Sequence, residues 1–365
     1  MSIPIADPGR WYRAHAQDVA AAQAAVIDSG RFILGPEVQA FEAEFAAFCD
    51  APHAVAVGSG TDALTLSLMA LDVAGGEVIT SAHTAIATVA AIERAGAVPV
   101  LADIDPRTRC LHPGAVESLL GPATRAVVAV HLYGHPAAVD ELSALVAGSG
   151  VALVEDCAQA HGARTGGRPV GALAAAGAFS FYPTKNLGAM GDAGAVVTAD
   201  AGLADRVRRL RQYGWDGEGI SRVSGINSRM DDLQAAVLRL KLALLGDSVL
   251  RRRQIARRYT GVLAGNPDIT APAEVGDIEH AYHLYVVECA ARDDLEAFLA
   301  GRNIGARRYY EQPCYRHPAY AGLGRSASME NLEAIQGSLL ALPVFAELTE
   351  AEVDTVCAAL AEWRV

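Results

Sequence analysis

Between residues 36 and 211 short β-branched runs alternate with helical stretches, and this alternation constrains the fold more than any other feature. Val38, Phe41, Phe45 and Phe48 fall on one face of a first amphipathic helix. Apolar runs at 54–57, 77–80, 98–101, 127–130 and 151–154 read as strands, with helices expected at 61–71 and 86–95 among the segments between them. The runs 178–181 and 194–198 read as an adjacent strand pair around a Gly-rich loop. Strands spaced by helices form a largely parallel sheet covered on both faces, an α/β fold. Ligands of such sheets sit beyond the carboxyl ends of the strands, so the loops there carry the functional search.

After the helix expected at 230–245 the texture changes. Arg251-Arg252-Arg253 and Arg257-Arg258 decorate a helix whose basic face reads as solvated, with a nucleotide diphosphate as the rival occupant. Strands at 283–288 and 304–309 and helices at 293–299, 329–340 and 350–363 follow. This predicts a large domain over 1–245 and a smaller α+β domain over 246–365, which 365 residues can accommodate. A net charge of -12 argues against nucleic-acid or anionic-membrane partners. The chain shows neither a signal-peptide block nor an apolar run of membrane-spanning length. Six scattered cysteines without a CxxC pair fit a cytoplasmic protein with no metal.

Lys185 and Lys241 are the only lysines among 30 basic residues. A chain that uses arginine everywhere else draws attention to them, because only lysine supplies a neutral amine near pH 7. Lys241 lies among leucines in a helix and reads as a snorkelling surface residue, whereas Lys185 lies in a loop after a strand. Gly58-Ser59-Gly60-Thr61-Asp62-Ala63 joins a strand end to a helix start, where free N–H groups and the helix dipole hold phosphate. The string also satisfies G-x-G-x-x-A, but the next strand ends in Ser81-Ala82-His83, without the ribose-binding acid of a dinucleotide site. Asp156 ends another strand, where a helix-capping role is the simpler reading in isolation. Phosphate turn, strand-end acid and loop lysine together are what pyridoxal 5'-phosphate requires: an anchor, a partner for the ring nitrogen and a Schiff-base amine.

At these residues the chain resembles the DegT/DnrJ/StrS nucleotide-sugar aminotransferases, whose fold is the aspartate-aminotransferase (type I) fold. The resemblance includes Arg31-Phe32-Ile33-Leu34-Gly35-Pro36, the turn through Leu64, Glu155-Asp156-Cys157-Ala158-Gln159-Ala160-His161-Gly162-Ala163 and Asn227-Ser228-Arg229-Met230-Asp231-Asp232-Leu233-Gln234. It implies that Lys185 is the catalytic lysine that binds the cofactor. It further implies that Asp156 pairs with the ring nitrogen, Gln159 with the ring hydroxyl beside Ala158, and that Gly60, Thr61 and Ser180 hold the phosphate. Asn227 would reach in from the second subunit of a homodimer, and Tyr182, Tyr213 and Tyr309 would contact the sugar. A dTDP-linked keto-deoxyhexose with L-glutamate as amino donor is the implied substrate pair. Dehydrating relatives carry histidine in place of the lysine, which Lys185 opposes; a regulatory role would need a basic segment that the sequence lacks.

Two departures from that family bear on the site. Tyr309 stands where a substrate-contacting histidine usually lies, and Ala85 where an aromatic usually covers the cofactor ring. His83 is expected to replace that aromatic. The Arg211-Gln212-Tyr213-Gly214-Trp215 loop resembles C-3 aminating members and Ala306-Arg307-Arg308-Tyr309-Tyr310 resembles C-4 aminating ones; C-3 is the expectation. His131 and His135, and His280 and His283, have metal-like spacing without a completing acid or cysteine and read as structural.

Overall fold

The computed structural model describes residues 2–323 and 327–365. Two N-terminal helices that the sequence reading did not define, α1 (Gly9–Ala14) and α2 (Ala16–Ser29), precede α3 (Pro36–Phe48). A proline opens α3, and its free N–H groups are held from far along the chain: Gly35 and Glu37 donate to Asp232 at 2.7 and 3.0 Å. Strands and helices then alternate as the pattern predicts: β1 (His53–Val57), α4 (Gly60–Ala70), β2 (Glu77–Ser81), α5 (Ile86–Arg94), β3 (Val98–Ala102), α6 (Pro113–Leu119), β4 (Thr124–Val130), α7 (Val139–Val146) and β5 (Ala152–Asp156). Short strands β6 (Arg164–Thr165) and β7 (Arg168–Pro169) lead to β8 (Ala176–Ser180) and β9 (Gly194–Thr198).

The main sheet has seven strands in the order β1-β9-β8-β5-β4-β2-β3. Only β9 runs against its neighbours, pairing antiparallel with both β1 and β8. The adjacent pair 178–181 and 194–198 is therefore real. Nearly every strand residue is buried, as expected where helices cover both faces. Strand alternation sets the site on β8. Phe179 and Phe181 point into the α3 side, meeting the Phe45 ring edge-on at 5.0 and 5.1 Å, so Ser180 between them faces the opposite way. Each buried Phe contributes about 2–3 kcal/mol and each edge-on pair about 1 kcal/mol more, which fixes the strand end firmly.

After α8 (Ala201–Leu210) come α9 (Asp232–Leu242) and α10 (Leu245–Leu263); the first ends three residues short of the helix expected over 230–245, and the second is the expected arginine-bearing helix. Leu245 and Val249 pack with Phe41 and Phe179, whereas Ile255, Tyr259 and Leu263 join a separate cluster with Tyr285, Leu340 and Trp363. Beyond β10 (Ile278–Glu279) lie β11 (Tyr285–Glu288), α11 (Arg292–Gly301), α12 (Glu330–Ile335), β12 (Leu339–Leu342) and α13 (Glu350–Glu362). Two expectations fail here. The predicted helix over 329–340 stops at Ile335, and its last residues enter β12, which pairs antiparallel with β11. The predicted strand over 304–309 is reduced to two isolated bridges, Ile304 with Ile3 and Arg307 with Ala341.

The arginine cluster on α10 is only in part a solvated face: Arg257 is exposed, but the others are engaged. Arg252 is buried and donates to the Tyr282 and Val344 carbonyls at 3.1 and 2.6 Å. Arg253 donates to His280 and Gly162 carbonyls, and Arg258 pairs with Glu350 and Asp354. These partners leave no open cluster for a diphosphate. Among the described residues no helix is long and apolar enough to cross a membrane.

Candidate active site

The turn after β1 is held from three directions. The Ser59 hydroxyl caps α4 by accepting from Asp62 N–H at 3.1 Å. Ser228 accepts from Gly58 N–H at 2.9 Å and donates to the Asp62 carboxylate at 2.8 Å, so the distant Asn227-Ser228 segment sets this turn. Gly60 lies so close to β8 that a Cβ there would stand 2.4 Å from the Ser180 Cβ. Gly194 is similarly pressed, its Cβ position 2.3 Å from the Ser59 carbonyl oxygen. Gly60, Thr61 and Ser180 are therefore brought together at the start of α4. Among the described residues no acceptor meets the Gly60 or Thr61 N–H.

Asp156 ends β5, next to β8, and is buried. Thr88 of α5 donates to its carboxylate at 2.8 Å and Ala158 N–H does so at 3.1 Å. With the Thr88 proton so committed, the Thr84 hydroxyl, 3.0 Å away, donates to Thr88. Burial raises the Asp156 pKa, and Thr88, Ala158 N–H and Lys185 oppose the rise. Lys185 has the complementary shift: burial lowers its pKa to about 8, against the pull of Asp156. The acid at the end of β5 and the amine in the loop after β8 thus sense each other.

Gln159 is fixed at both ends of its amide, accepting from Tyr133 N–H and donating to the Tyr310 hydroxyl, each at 2.6 Å. The Tyr133 hydroxyl gives its proton to the Tyr309 carbonyl at 2.6 Å, so His83 Nε2 must donate to Tyr133 at 2.8 Å. His83 is buried, edge-on to both Tyr133 and Tyr310, and its Nδ1 has no partner among the described residues. Burial lowers its pKa to about 3, which keeps the ring neutral. Tyr309 itself is half-buried under Arg307, and its neighbour Tyr310 supplies the hydroxyl that meets Gln159. Thr88, Tyr133, Tyr310 and Ser228 are members of the site that the sequence reading did not single out. Tyr182, Tyr213 and Asn227 are brought to the surface instead: the two tyrosines are 52% and 39% exposed, and Asn227 bridges Gln212 through its backbone.

Of the two histidine pairs, His131, His135 and His280 each make a hydrogen bond through Nδ1, while His135 Nε2 and His283 Nδ1 have no partner among the described residues. His131, Glu155 and Cys157 gather within 4.8 Å. However, His131 Nδ1 accepts from Ala137 N–H at 2.9 Å, so Nε2 carries the proton and donates to Glu155 at 3.1 Å. Glu155 also accepts from the N–H groups of Gly171, Leu173 and Ala174, and burial keeps the Cys157 thiol protonated. An acid and a cysteine thus do stand beside His131, contrary to the expectation from spacing, but the His131 and Glu155 atoms are engaged in hydrogen bonds that hold the 171–174 loop. Lys241 is not a surface residue either; it is half-buried against Trp11 and Tyr12.

An open, mostly parallel sheet with an acid, an amine and an anion-ready helix start at its strand ends is an aspartate-aminotransferase-like, type I architecture. The chain belongs to the DegT/DnrJ/EryC1/StrS aminotransferase family, which it matches over residues 14–361. It is 46% identical to the erythromycin biosynthesis sensory transduction protein EryC1 of Saccharopolyspora erythraea, over 99% of each chain. It is 44% identical to a dTDP-3-amino-3,4,6-trideoxy-α-D-glucose transaminase of Streptomyces venezuelae, over 99% of this chain and 96% of that one. Among solved structures, S. venezuelae DesV in complex with a ketimine intermediate superposes with a TM-score of 0.97 at 44% identity, covering 100% of this chain and 99% of that one. NtdA from Bacillus subtilis with bound cofactor PMP superposes with a TM-score of 0.87 at 28% identity, covering 95% of this chain and 81% of that one. The protein is an aminotransferase.

Proposed function

We propose that the protein is a pyridoxal-phosphate-dependent transaminase that aminates C-3 of a dTDP-linked keto-deoxyhexose, with L-glutamate as donor. Asp156 at the end of β5 and Lys185 in the loop after the neighbouring β8, beside the Gly60–Ser180 contact, carry the cofactor assignment. The cofactor fits these residues. The free N–H groups of Gly60 and Thr61 with Ser180 suit its phosphate, Asp156 its ring nitrogen, and Gln159 next to Ala158 its ring hydroxyl. His83, buried edge-on to Tyr133 and Tyr310, is the residue proposed to lie against the face of the ring. When bound, pyridoxal phosphate supplies an aldehyde for the amino group and an electron-poor ring that acidifies the donor's α-carbon.

The residues divide the remaining work. Lys185, with its pKa near 8, is a competent base near neutral pH and takes the proton from the donor's α-carbon. Asp156 holds charge opposite the ring nitrogen, steadied by Thr88 and Ala158 N–H. The buried Tyr133 and His83 keep water from the reacting face. C-3 amination is favoured by the S. venezuelae relative's named activity, and Tyr182, Tyr213 and Tyr309 are the proposed sugar contacts.

A homodimer completes this reading. Phe32, Ile33, Met190 and Val223 are exposed apolar residues, and Asn227, also exposed, would serve the other subunit's phosphate site. We also propose lobes over 1–245 and 246–365, supported by the separate apolar cluster around Tyr259 and Tyr285. Six free cysteines support a reducing, cytoplasmic setting.

The test is reconstitution with pyridoxal phosphate and borohydride reduction, followed by peptide mass mapping. Cofactor should be fixed to Lys185, and Lys185→Arg should lose transamination of a dTDP-3-keto sugar. Turnover by Lys185→Arg within tenfold of the unaltered protein, or amination confined to 4-keto sugars, would overturn the respective part of the reading.

A further inference from the structure

Lys241 projects from α9 into the corner between two perpendicular rings of α1. Its Nζ lies 5.0 Å from the Trp11 centroid and 4.9 Å from that of Tyr12, and the two rings meet at 87°. Among the described residues its ammonium makes no ion pair or hydrogen bond; Glu347 and Arg252 act on it only through space. A compact ammonium can face both rings at once, whereas a planar guanidinium stacks flat on one. This accounts for a lysine in a chain that otherwise uses arginine.

The second ring leads to the active-site loop. The Tyr12 hydroxyl donates to the Gly188 carbonyl at 3.1 Å. Gly188 closes the loop that carries Lys185, pressed so tightly that a Cβ there would stand 2.3 Å from the Pro183 oxygen. Two backbone bonds complete the closure, Lys185 N–H to Tyr182 and Ala189 N–H to Phe181, at 2.8 and 2.7 Å. Lys185 and Lys241 line one cavity with Trp11. Among the described residues, α1 and α2 otherwise meet α9 through a small apolar cluster of Trp11, Val19 and Val237 edged by Tyr12 and Leu240, while Arg10 ties α1 to Glu352.

We propose that Lys241 is a positioning residue for Lys185: its ammonium clamps α1, so that Tyr12 holds Gly188 and the loop behind the reactive amine. This rests on the reading of Lys185 as the cofactor-bearing lysine. Burial lowers the Lys241 pKa to about 8, Arg252 adds to the fall and Glu347 opposes it, and facing the two rings favours the charged form.

Three variants, Lys241→Met, Lys241→Arg and Tyr12→Phe, test the clamp with two readouts. In the cofactor-free protein, protease cleavage of the N-terminal segment should accelerate about two- to fivefold in Lys241→Met and less in Lys241→Arg. In the loaded protein, turnover and borohydride trapping at Lys185 should fall by a similar factor in Lys241→Met and Tyr12→Phe, with sugar KM unchanged. The double variant should be no worse than the poorer single one, because both act on one link. Cleavage and trapping at unaltered rates in Lys241→Met, or losses that multiply in the double variant, would overturn the proposal. If Lys241→Met does not fold, unaltered trapping in Tyr12→Phe overturns it. Trapping absent from Lys185 in the unaltered protein would instead overturn the functional reading.

Discussion

The Thr88 hydroxyl donates to the Asp156 carboxylate at 2.8 Å across 68 residues of sequence. Burial pushes the Asp156 pKa up, and the Thr88 donor is the first of the groups that restrain it. Replacing Thr88 by valine keeps the volume and removes the donor, leaving Ala158 N–H as the remaining neutral partner. A hydrogen bond to a charged group is worth about 1.5–3 kcal/mol, so Thr88→Val should weaken pyridoxal phosphate binding roughly tenfold or more. Fluorescence titration of the cofactor-free protein measures this; an unchanged Kd would reduce Thr88 to a packing residue.

Lys185 gives a stability signature before any cofactor is added. Its folded pKa is about 8, below the ordinary 10.5. Below pH 8 both folded and unfolded chains hold the proton, and the folded state carries the full cost of a poorly solvated ammonium. Between about pH 8 and 10.5 the unfolded chain binds more protons, so stability contributed at this site rises with pH. Cofactor-free Lys185→Met should therefore be the more stable protein at pH 7, by up to about 3 kcal/mol, with the gap closing toward pH 10.5. Denaturant unfolding at pH 7, 9 and 10 tests the sign, and a gap that widens with pH would contradict the assignment.

Gly60→Ala tests the contact between α4 and β8. Its new Cβ would be 2.4 Å from the Ser180 Cβ, far inside contact distance, so the helix start must move off the strand. That movement separates the N–H groups from the Ser180 hydroxyl without touching the Lys185 loop. Inserting a methyl group into such a contact costs about 1–3 kcal/mol. The variant should fold, with cofactor retention lost at least tenfold and Tm slightly lowered. Unimpaired retention would show that Gly60 is needed for folding alone.

The parts of this design that the sequence reveals are those with local signatures. Period-2 and period-3.6 patterns are strong wherever an element is buried on a fixed face, so the main sheet is readable from β1 to β9. Leu332, Ile335 and Leu339 also fit a helical stripe, yet Leu339 belongs to β12, because pairing with β11 outweighs local periodicity. The expected strand over 304–309 reads apolar at Ile304, but its neighbours there are Ile3 and Ala341, partners that no local pattern can name. The site divides the same way. Gly60, Asp156 and Lys185 announce themselves through turn and strand-end chemistry. Thr88 in α5 and Tyr310, 151 residues from Gln159, have no spacing rule; they matter only because the fold brings them to one buried place.

His83 supplies the last test, because its hydrogen bonding separates two roles. Tyr133 spends its proton on the Tyr309 carbonyl, so His83 is the Nε2–H tautomer and its ring orientation is fixed by that donation. Its pKa near 3 means that it carries no charge at working pH and cannot act there as a titrating acid. A role through ring surface predicts that His83→Ala weakens cofactor retention and cuts turnover. His83→Phe restores the surface but not the bond to Tyr133, so it should recover retention more than turnover. The pH profile of turnover should show no limb belonging to His83, because burial keeps its titration near 3. Retention equal in His83→Ala and the unaltered protein, or a limb near pH 6.5 that disappears in His83→Phe, would show that the imidazole acts in another way.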